Sequence, residues 1–469
     1  MAEHVTTGHS RGAGSTGEDV TTGQARRALV AGLGRRGFLL AAAGAGAAAG
    51  TGLSASPAGA ATRPPRVEGP RGILQPGRGR IDGEHYLPSD VDRVRWGYVP
   101  AIGDDPVLTV RSGATVTIDT VSHEGILEDQ GRDPVAWFAE RGVPRRQVLD
   151  DAVEIARDYD RTPRSFDVDG PHVVTGPVFV TGARPGDVLK VETLSAVPRV
   201  PYGVVSSRHG KGALPRTAAG GAPDGITIDE VMPPVGTDGR GPGVDPEDYG
   251  NVSVFTPVDR RRGVWSGVMP VGASGEVTFP IDPFMGLMGV ASAEGAPTAP
   301  ALNSIPPTLG GGNIDINLLG AGSAFYLPVF SDGALFHVGD PHMAMGDGEV
   351  ALTAMEGSLR STFRLTVCKP GAGDAPEVAF GYPFAETDDV WVPIGLSDPD
   401  GSIGGQQSDL DVAMRRAVVN ALDFLEAELG MTRAVAYAYL SAAADFRVSQ
   451  VVDRTVGVHG VIQKSHFGR

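Results

Sequence analysis

The segment from Gly339 to Val350 concentrates the residue types that could do chemistry in this chain. It contains one histidine, His342, and three carboxylates, Asp340, Asp347 and Glu349. Residues two apart on an extended backbone point to the same face, so Asp340 and His342 could converge on one ion or substrate, as could the later acidic pair. A turn that only reverses the chain needs Gly or Asn, not an imidazole beside carboxylates. The segment therefore suggests a hydrolytic or metal site, and the competing interpretation is a solvated acidic loop.

Three further residues of the same chemistry occur where an apolar, strand-like segment meets a glycine turn: His123, His172 and Asp315. Catalytic zinc sites use three protein ligands of the His and carboxylate types and leave one position open for water. Together with the Gly339–Val350 segment, these residues could supply such a set. Each of them alone could instead cap backbone groups in a turn. Their separation along the chain does not establish that they meet.

The composition limits the fold and the class of partner. With 469 residues and 41% hydrophobic content, the chain is long enough for two or three packed domains. Its 67 glycines and 37 prolines follow no Gly-x-y period and interrupt short apolar runs, which favours many strands and turns. The net charge of −16 argues against a nucleic-acid partner, because phosphate binding needs clustered Lys and Arg. The single cysteine, Cys368, excludes an intrachain disulfide and a cysteine-rich zinc module.

Residues 1–60 are predicted to be an export leader and not part of the fold. The pair Arg35-Arg36 precedes Phe38-Leu39-Leu40 and an Ala/Gly-rich apolar run that ends in Ala58-Gly59-Ala60. This pattern resembles a twin-arginine signal with a small-residue cleavage site. A membrane anchor is the alternative, but a run so rich in Gly and Ala is a poor spanning helix. We expect an exported, periplasmic or extracellular protein that engages the twin-arginine export machinery and keeps no stable membrane span after cleavage.

Residues 61–400 are predicted to form a mostly β body, an antiparallel sandwich or barrel, because short apolar runs alternate with turns. Two pairs of runs are expected to form β-hairpins, 107–110 with 114–120 and 178–180 with 188–192. Further strands are predicted at residues 275–280, 324–330, 349–355 and 361–367. A short helical excursion is predicted at residues 134–158 and a long loop at residues 220–250.

The end of the chain, residues 401–469, is predicted to be a helical hairpin followed by a tail. Ser408 begins a capping box, and apolar periodicity sustains a helix to a stop at Gly430. Thr432 opens a second helix. The apolar faces of this αα-hairpin must dock on the β body or on another subunit, and we expect a homo-oligomer. His459, beyond the hairpin, is expected on the surface.

Segments spread over nearly the whole chain after the leader resemble the acetamidase/formamidase family. They are residues 94–98, 107–125, 172–178, 182–187, 311–315, 326–356, 439–441 and 448–452. The resemblance implies a mostly β protein that binds a divalent metal ion, usually zinc, and hydrolyses small amides. The implied substrate is therefore a small-molecule amide with a formamide-like or acetamide-like C–N bond, linear or cyclic.

The resemblance also implies roles for individual residues. The expected metal ligands are His172, Asp315 and His342, with His123 in the same pocket. Glu349 is the expected proton shuttle and Asp347 the second catalytic candidate. Which of Asp340, Asp347 and Glu349 touches the metal is left open. Phe336-His337 and Met343-Ala344-Met345 depart from the family pattern, so the resemblance does not identify the amide.

Other amidase chemistries fit the residues less well. A nitrilase-type enzyme needs a cysteine nucleophile, but Cys368 has no carboxylate beside it in sequence and is expected to be a small packed residue. A serine amidase needs a Ser-Ser-Gly block, which the pair Ser206-Ser207 lacks, while His209 and Lys211 could border the pocket. The alternative function is an exported, non-catalytic, metal-dependent binding protein of the β-sandwich type, because a fold does not fix a function. A base beside an open metal position would distinguish the two.

Overall fold

The computed structural model describes residues 67–234, 245, 249–272, 275–400 and 409–468. The predicted export leader lies outside these residues, as does Ser408, the predicted start of the first C-terminal helix. The described residues belong to one compact unit, Arg63–Arg469. Among them, no helix has both the length and the apolar character needed to cross a lipid bilayer.

Short strands dominate the described part of the chain. In chain order the strands are β1 (His85–Leu87), β2 (Val94–Trp96), β3 (Leu108–Arg111), β4 (Ala114–Asp119), β5 (Val173–Thr181), β6 (Val188–Pro198), β7 (Tyr202–Ser207), β8 (Val252–Arg261), β9 (Val264–Val271), β10 (Gly275–Pro280), β11 (Phe284–Gly289), β12 (Gly311–Asn313), β13 (Ala324–Pro328), β14 (Phe336–Ala344), β15 (Met355–Glu356), β16 (Leu359–Cys368), β17 (Phe384–Glu386), β18 (Val390–Leu396), β19 (Asp445–Gln450) and β20 (Gly457–Gln463). The helices are α1 (Pro134–Ala139), α2 (Asp150–Asp158), α3 (Leu410–Leu429) and α4 (Arg433–Ala443). The predicted mostly β architecture with C-terminal helices is confirmed.

The strands form two large sheets in which most neighbours are antiparallel. The nine-stranded sheet has the order β1-β4-β16-β6-β13-β17-β18-β20-β19. The eleven-stranded sheet has the path β10-β9-β8-β7-β15-β14-β11-β12, and β5 joins it by pairing with β14, β2 and β3. The sheets contact each other through buried rings, since Phe336 of β14 and Phe363 of β16 lie 5.7 Å apart between ring centroids. Burying a side chain of this size contributes roughly 1.5–3 kcal/mol, so the core favours face-to-face packing of the sheets.

The two predicted hairpins are wrong in the same way. β3 pairs with β5 in the eleven-stranded sheet, whereas β4 pairs with β1 and β16 in the nine-stranded sheet. Likewise β5 and β6 belong to different sheets. A tight glycine turn can return the chain within one sheet or pass it to the facing sheet, and the apolar alternation is the same in both cases. The chain therefore passes between the sheets at these turns, which ties the two layers together.

The other strand predictions have mixed outcomes. Strands are present at three of the four predicted places, as β10, β13 and β16, and the helical excursion is present as α1 and α2. The predicted strand 349–355 is wrong, because turns occupy it and only Met355–Glu356 is extended. Gly348 and Glu349 have positive φ values of 99° and 46°, which are incompatible with a continuous strand.

The C-terminal helices dock on the β body. α3 is capped by Asp409, whose side chain accepts hydrogen bonds from two backbone N–H groups, and it ends at Gly430 with a left-handed φ of 64°. The helix approaches β18 so closely that a Cβ added at Gly395 would overlap the backbone of Ala413 and Ala417. After the hairpin the chain is not a simple tail, because it forms β19 and β20, and β20 pairs with β18.

Candidate metal centre and active site

β14 carries the central pair of the site, Asp340 and His342. Both side chains are buried, and Asp340 Oδ2 lies 2.9 Å from His342 Nε2, so the prediction that they share a face is confirmed. The pair lies on a strand and not in the predicted turn. Asp340 has a φ of 51°, and the pairing with β15 changes register after His342. Such bulges re-aim side chains, which explains how one strand can direct two ligand-type residues to one point.

Gly286 of β11 leaves the space in which these residues converge. A Cβ placed on Gly286 would lie 2.6 Å from Asp340 Oδ2 and 2.6 Å from His342 Cε1, and it would also overlap Asp315 Oδ1. Asp315 follows β12 and has a φ of 48°. Its Oδ1 lies 3.8 Å from His342 Nδ1. Any side chain at this position of β11 would therefore prevent Asp315, Asp340 and His342 from approaching one another.

His123 and His172 face the other oxygen of Asp340. His123 Nδ1 lies 3.7 Å from Asp340 Oδ1, and His172 Nε2 lies 3.5 Å from the same atom. The two imidazole rings meet edge to face with centroids 5.5 Å apart. The other nitrogen of His172, Nδ1, lies 3.0 Å from Ser304 Oγ, so Nε2 is the nitrogen left for the site.

The two oxygens of Asp340 divide the predicted ligands into two groups. His123, His172 and Asp340 form one close group, and Asp315, Asp340 and His342 form the other. In each group the ligand atoms lie within 4.8 Å of one another, which suits a single ion. The predicted set His172, Asp315 and His342 is therefore brought into one cluster, but its members are linked through Asp340 and do not form one close group.

Three further carboxylates border this cluster. His342 Nε2 lies 3.1 Å from Glu356 Oε1 and 3.7 Å from Glu349 Oε1. Asp453, from the turn between β19 and β20, forms a close group with Asp315 and Glu349. All three side chains are buried. Glu349 also forms a close group with His342 and Glu356, so the predicted proton shuttle is itself a candidate metal ligand.

Asp347, the second predicted catalytic residue, lies outside the cluster. Its Oδ1 accepts a hydrogen bond of 3.0 Å from Asn317 Nδ2, and its Oδ2 lies 3.7 Å from Arg447 Nη1. The turn at Gly348 and Glu349 breaks the alternation on which the same-face prediction depended. Asp347 and Glu349 are therefore directed to different environments.

Burial and mutual repulsion raise the pKa of most carboxylates in the cluster. Burial raises the pKa of Glu349 well above its usual range, and the nearby charge of Asp315 adds to the shift. Burial is also the main cause of the raised pKa values of Asp315 and Asp453. Repulsion adds to both shifts, from Asp453 in the case of Asp315 and from Glu349 in the case of Asp453. The pKa of Asp340 is the exception, because His172 and His342 outweigh its burial and hold it well below the usual value.

The histidines respond to the same environment in opposite directions. Burial lowers the pKa of His172 to about 4, so this imidazole is neutral near pH 7 and can offer a lone pair to a metal. Burial also opposes charge on His342, but the carboxylates of Glu356 and Asp340 outweigh it and raise its pKa. A divalent cation would relieve the excess of buried negative charge, and it would lower the pKa of every carboxyl group around it.

A buried ion network contacts His123 at Nε2, the ring nitrogen that does not face Asp340. Its Nε2 lies 3.4 Å from Glu124 Oε1, and that oxygen lies 2.8 Å from Arg208 Nη1. Arg208 also contacts Asp129, with Nε 2.8 Å from Oδ2. Burial would raise the pKa of Glu124, but Arg208 and His123 hold it well below the usual value. A carboxylate at one nitrogen fixes the orientation of the ring and directs the other nitrogen, Nδ1, to the site.

A cavity of about 360 Å³ reaches the cluster. Its wall includes the acidic and histidine residues His123, His172, Asp340, Glu349, Glu356 and Asp453. It also includes the cations Arg164, Arg208, Lys211 and Arg454. Of the two residues predicted to border a pocket, Lys211 is therefore part of this wall, whereas His209 is not. A volume of this size is typical of small-molecule sites.

The cluster contains buried nitrogen and oxygen atoms without hydrogen-bond partners in the part of the chain that the structure describes, and these atoms suit a divalent metal ion. Within the described residues, the buried nitrogens of His123 and His342 have no hydrogen-bond partner. The same holds for both carboxyl oxygens of Asp315 and for Oδ1 of Asp340. Leaving such groups unpaired costs about 1–3 kcal/mol each, more when they are charged. Neutral imidazole and carboxylate are the donors that zinc and similar ions accept. The donor set and its lack of other partners therefore fit a divalent ion held around Asp340.

The alternative nucleophiles have the buried environments of structural residues. Cys368 is fully buried, and burial raises the pKa of its thiol to about 11, which leaves little thiolate at neutral pH. Ser206 is also buried, and its hydroxyl donates to Glu124 Oε2 over 2.8 Å. Neither residue borders the cavity. The prediction that Cys368 is a packed residue is confirmed.

Three residues of the site were not predicted from the sequence. Glu356 lies at the end of a segment that resembled the family, and Asp453 lies one residue beyond another, 448–452, so a signal was present for both. Glu124 directly follows His123, where a second buried charge was not expected. His459 was expected on the surface, but it is wholly buried on β20, with Nδ1 2.8 Å from Ser449 Oγ.

Comparison with known proteins finds a family model that matches part of the chain. Residues 277–462 match the model of the Acetamidase/Formamidase family. This range contains Asp315, Asp340, His342, Glu349 and Asp453, whereas His123 and His172 lie before it.

Three curated proteins share parts of the sequence. A formamidase of Methylophilus methylotrophus is 34% identical over 172 residues, which are 35% of this chain and 40% of that protein. An acetamidase of Mycolicibacterium smegmatis is 25% identical over 349 residues, 62% of this chain and 76% of that protein. A protein of Schizosaccharomyces pombe whose name assigns it to the formamidases is 28% identical over 237 residues, 45% of this chain and 55% of that protein. The matched part of the chain thus spans about half the length of the Schizosaccharomyces pombe protein and 40% of the Methylophilus formamidase.

Solved structures share the fold at low sequence identity. An acetamidase from Bacillus halodurans has a TM-score of 0.55 and 23% identity, covering 82% of this chain and 98% of that chain. An acetamidase from Yersinia enterocolitica has a TM-score of 0.56 and 23% identity, covering 84% and 95%. The two-sheet fold described above is therefore one that these structures also have.

Proposed function

We propose that this chain, whose residues 277–462 belong to the acetamidase/formamidase family, is a metal-dependent hydrolase of small, non-peptide amides. The products are a carboxylate and ammonia or an amine. The observation that carries the proposal is the group of buried histidines and carboxylates around Asp340, which borders a cavity large enough for a small molecule. The relatives named as formamidase and acetamidase support the same substrate class.

The residues suited to hold a divalent ion, zinc in our proposal, are His123, His172, Asp315, Asp340 and His342. When bound, such an ion acts as a Lewis acid and lowers the pKa of water near neutrality. Asp340 contributes to both close groups, and its depressed pKa keeps it ionised. Glu124 fixes the orientation of His123 through their 3.4 Å contact.

Glu349 is the proposed carrier of the proton. It takes a proton from the hydrolytic water as the carbonyl carbon is attacked, and it returns that proton to the departing nitrogen. Burial raises the pKa of its carboxyl above the usual range, and a bound cation would lower it again. Its position at the cavity wall supports access to substrate.

We also propose that the protein is exported from the cytoplasm. The Arg35-Arg36 pair and the apolar run after it support export by the twin-arginine pathway, which carries folded proteins. Export to the periplasm or to the outside of the cell also suits a chain whose only cysteine is buried.

The direct test is ammonia release from formamide and acetamide by the purified mature chain, before and after chelation. Activity that falls on chelation and returns with added zinc is the expected result. A chain that binds metal but releases no ammonia from any amide would instead favour the non-catalytic binding protein.

A further inference from the structure

The wall of the cavity carries a cation that the metal chemistry does not use. Arg454 lines the cavity one residue after Asp453, it is partly buried, and its backbone has a left-handed φ of 65°. A non-glycine residue with positive φ is uncommon and costs on the order of 1 kcal/mol. Such strain persists only where the surrounding structure fixes it, and it occurs most often at binding sites.

The surrounding structure does fix this residue. The side-chain Oε1 of Gln450 accepts hydrogen bonds from the backbone N–H groups of Val452 (2.9 Å) and Asp453 (3.0 Å). Its Nε2 donates to the carbonyl oxygen of Thr455 over 2.7 Å. Gln450 is itself fully buried. The turn that carries Arg454 is therefore held from within, which fixes the backbone of Arg454 at the cavity wall next to Asp453.

Arg454 differs from the other arginines of the same wall. Arg164 lies 3.1 Å from Glu128, and Arg208 lies 2.8 Å from both Glu124 and Asp129. Within the described part of the chain, no hydrogen bond or ion pair is found for the guanidinium of Arg454. A guanidinium presents planar, paired donors that match a carboxylate, and this pairing is strongest where water is partly excluded.

The size of the cavity also favours a substrate larger than formamide or acetamide. A cavity of about 360 Å³ lies within the range of about 300–1,000 Å³ that is typical of pockets for drug-sized ligands. Formamide and acetamide have only a few non-hydrogen atoms each and would leave most of this space empty. A substrate that fills it extends beyond the amide group that reacts.

From these observations we propose that the substrate is a primary amide with a carboxylate at its other end, and that Arg454 binds that carboxylate. This inference rests on the proposed amidase function and names its substrate class. The monoamide of a short dicarboxylic acid, such as succinamate, has this chemistry. Water adds its oxygen to the amide carbon, the C–N bond breaks, and the nitrogen leaves with a proton as ammonia, which leaves the dicarboxylate.

The test compares succinamate with 4-methylpentanamide, a neutral amide of the same length in which an isopropyl group replaces the carboxylate. Wild-type protein should have the higher kcat/KM for succinamate. Arg454→Gln should lower kcat/KM for succinamate by roughly 10- to 100-fold, the usual value of a charged hydrogen-bonded pair, and change the value for 4-methylpentanamide by less than about threefold. Arg454→Lys should recover part of the loss, because it restores the charge but not the planar fork.

Arg415→Gln is the matched control, because it removes an exposed arginine of α3 and should leave both substrates unaffected. Binding of succinate, measured by calorimetry, gives a readout that needs no turnover and should weaken in Arg454→Gln. An equal loss for both amides in Arg454→Gln, or a wild-type preference for the neutral amide, would overturn the carboxylate assignment and leave the amidase function standing. If wild type releases ammonia from no amide, the proposed function itself is overturned, whatever succinate does.

Discussion

At the scale of single residues, the site depends on one carboxylate and one glycine. Asp340 presents its two oxygens to different histidines, with His342 Nε2 2.9 Å from Oδ2 and His172 Nε2 3.5 Å from Oδ1. Gly286 provides the space for this arrangement. Histidine and aspartate could be found by their chemistry in the sequence, but a glycine that matters by lacking a side chain could not.

We expect Gly286→Ala to abolish metal binding while the sheets stay folded. The new methyl group would lie 2.6 Å from both Asp340 Oδ2 and His342 Cε1, so one of these side chains must turn away. Metal content of the purified variant checks this by elemental analysis, and circular dichroism checks the fold. Gly381→Ala is the matched control, since its added Cβ would meet nothing within 4 Å. Stoichiometric metal in Gly286→Ala would contradict the convergence described for Asp315, Asp340 and His342.

We expect Glu349→Gln to lower kcat by roughly 10²- to 10⁴-fold, the usual contribution of general acid–base catalysis. The amide keeps the shape of the side chain but cannot carry the proton. Metal content should stay unchanged, because the two groups around Asp340 that we propose to hold the ion do not include Glu349. Asp347→Asn, outside the cluster, should keep near-normal turnover. Unchanged kcat in the metal-loaded Glu349→Gln protein would exclude the proton-carrier role, and loss of metal would make Glu349 a ligand.

At the scale of elements, the turn between β19 and β20 completes the site. The turn brings Asp453 close to Asp315 and Glu349. Two backbone hydrogen bonds also join this region to the loop before Glu349: Gly348 N donates to Ser449 O over 3.0 Å, and Val451 N donates to Gly348 O over 3.2 Å. Two segments that are about a hundred residues apart in the chain therefore share one wall of the cavity.

We expect Gln450→Leu to lower both stability and kcat. The change removes three hydrogen bonds inside the turn and leaves buried backbone groups unpaired, which costs roughly 2–4 kcal/mol. The midpoint of urea unfolding and steady-state kinetics with acetamide measure the two effects. Gln463→Leu on β20 is the control, because no side-chain hydrogen bond of Gln463 is found in the described residues. A stable Gln450→Leu protein with normal kcat would show that the turn does not position Asp453.

The sequence predicted the kinds of element better than their pairing. The capped helix that ends at Gly430 and strands such as β16 follow from local propensity, which the structure confirms. The pairing of β3 and β4 in different sheets could not be read from the turn between them, because the same glycine turn serves both outcomes. The ligand-type histidines were found by residue type, whereas Asp453 required knowledge of which distant turns meet. The left-handed backbone of Asp340 and Glu349 and the register shift after His342 are set by tertiary packing and leave no local pattern.

At the scale of the whole molecule, charge is distributed unevenly. The chain has a net charge of −16, yet four cations line one cavity together with the acidic cluster. Three of these side chains belong to arginines, whose charge does not titrate in the physiological range. Under the proposed carboxylate-bearing substrate, these fixed positive charges offset part of the repulsion between the acidic chain and an anionic ligand.

We expect Arg35→Lys combined with Arg36→Lys to leave the precursor inside the cell. The twin-arginine machinery reads this pair together with the apolar residues after it. Cell fractionation with immunoblotting measures the fraction exported. The chain offers an internal control, because Arg26-Arg27 is a second pair without the following Phe-Leu segment, and changing both to Lys should not affect export. Normal export of the Arg35/Arg36 double variant would refute the twin-arginine assignment.

The joining of distant segments in one site also determines when the site can exist. Asp453 follows His123 by 330 residues, so a ribosome adds it much later. β20, which closes the nine-stranded sheet against β18, is made later still. A nascent chain therefore contains His123 and His172 long before it contains Asp453 and β20. If the proposed metal site is correct, the ion can be bound by the full set of groups only after Asp453 and β20 have been made, and a chain terminated before them would expose unpaired ligands.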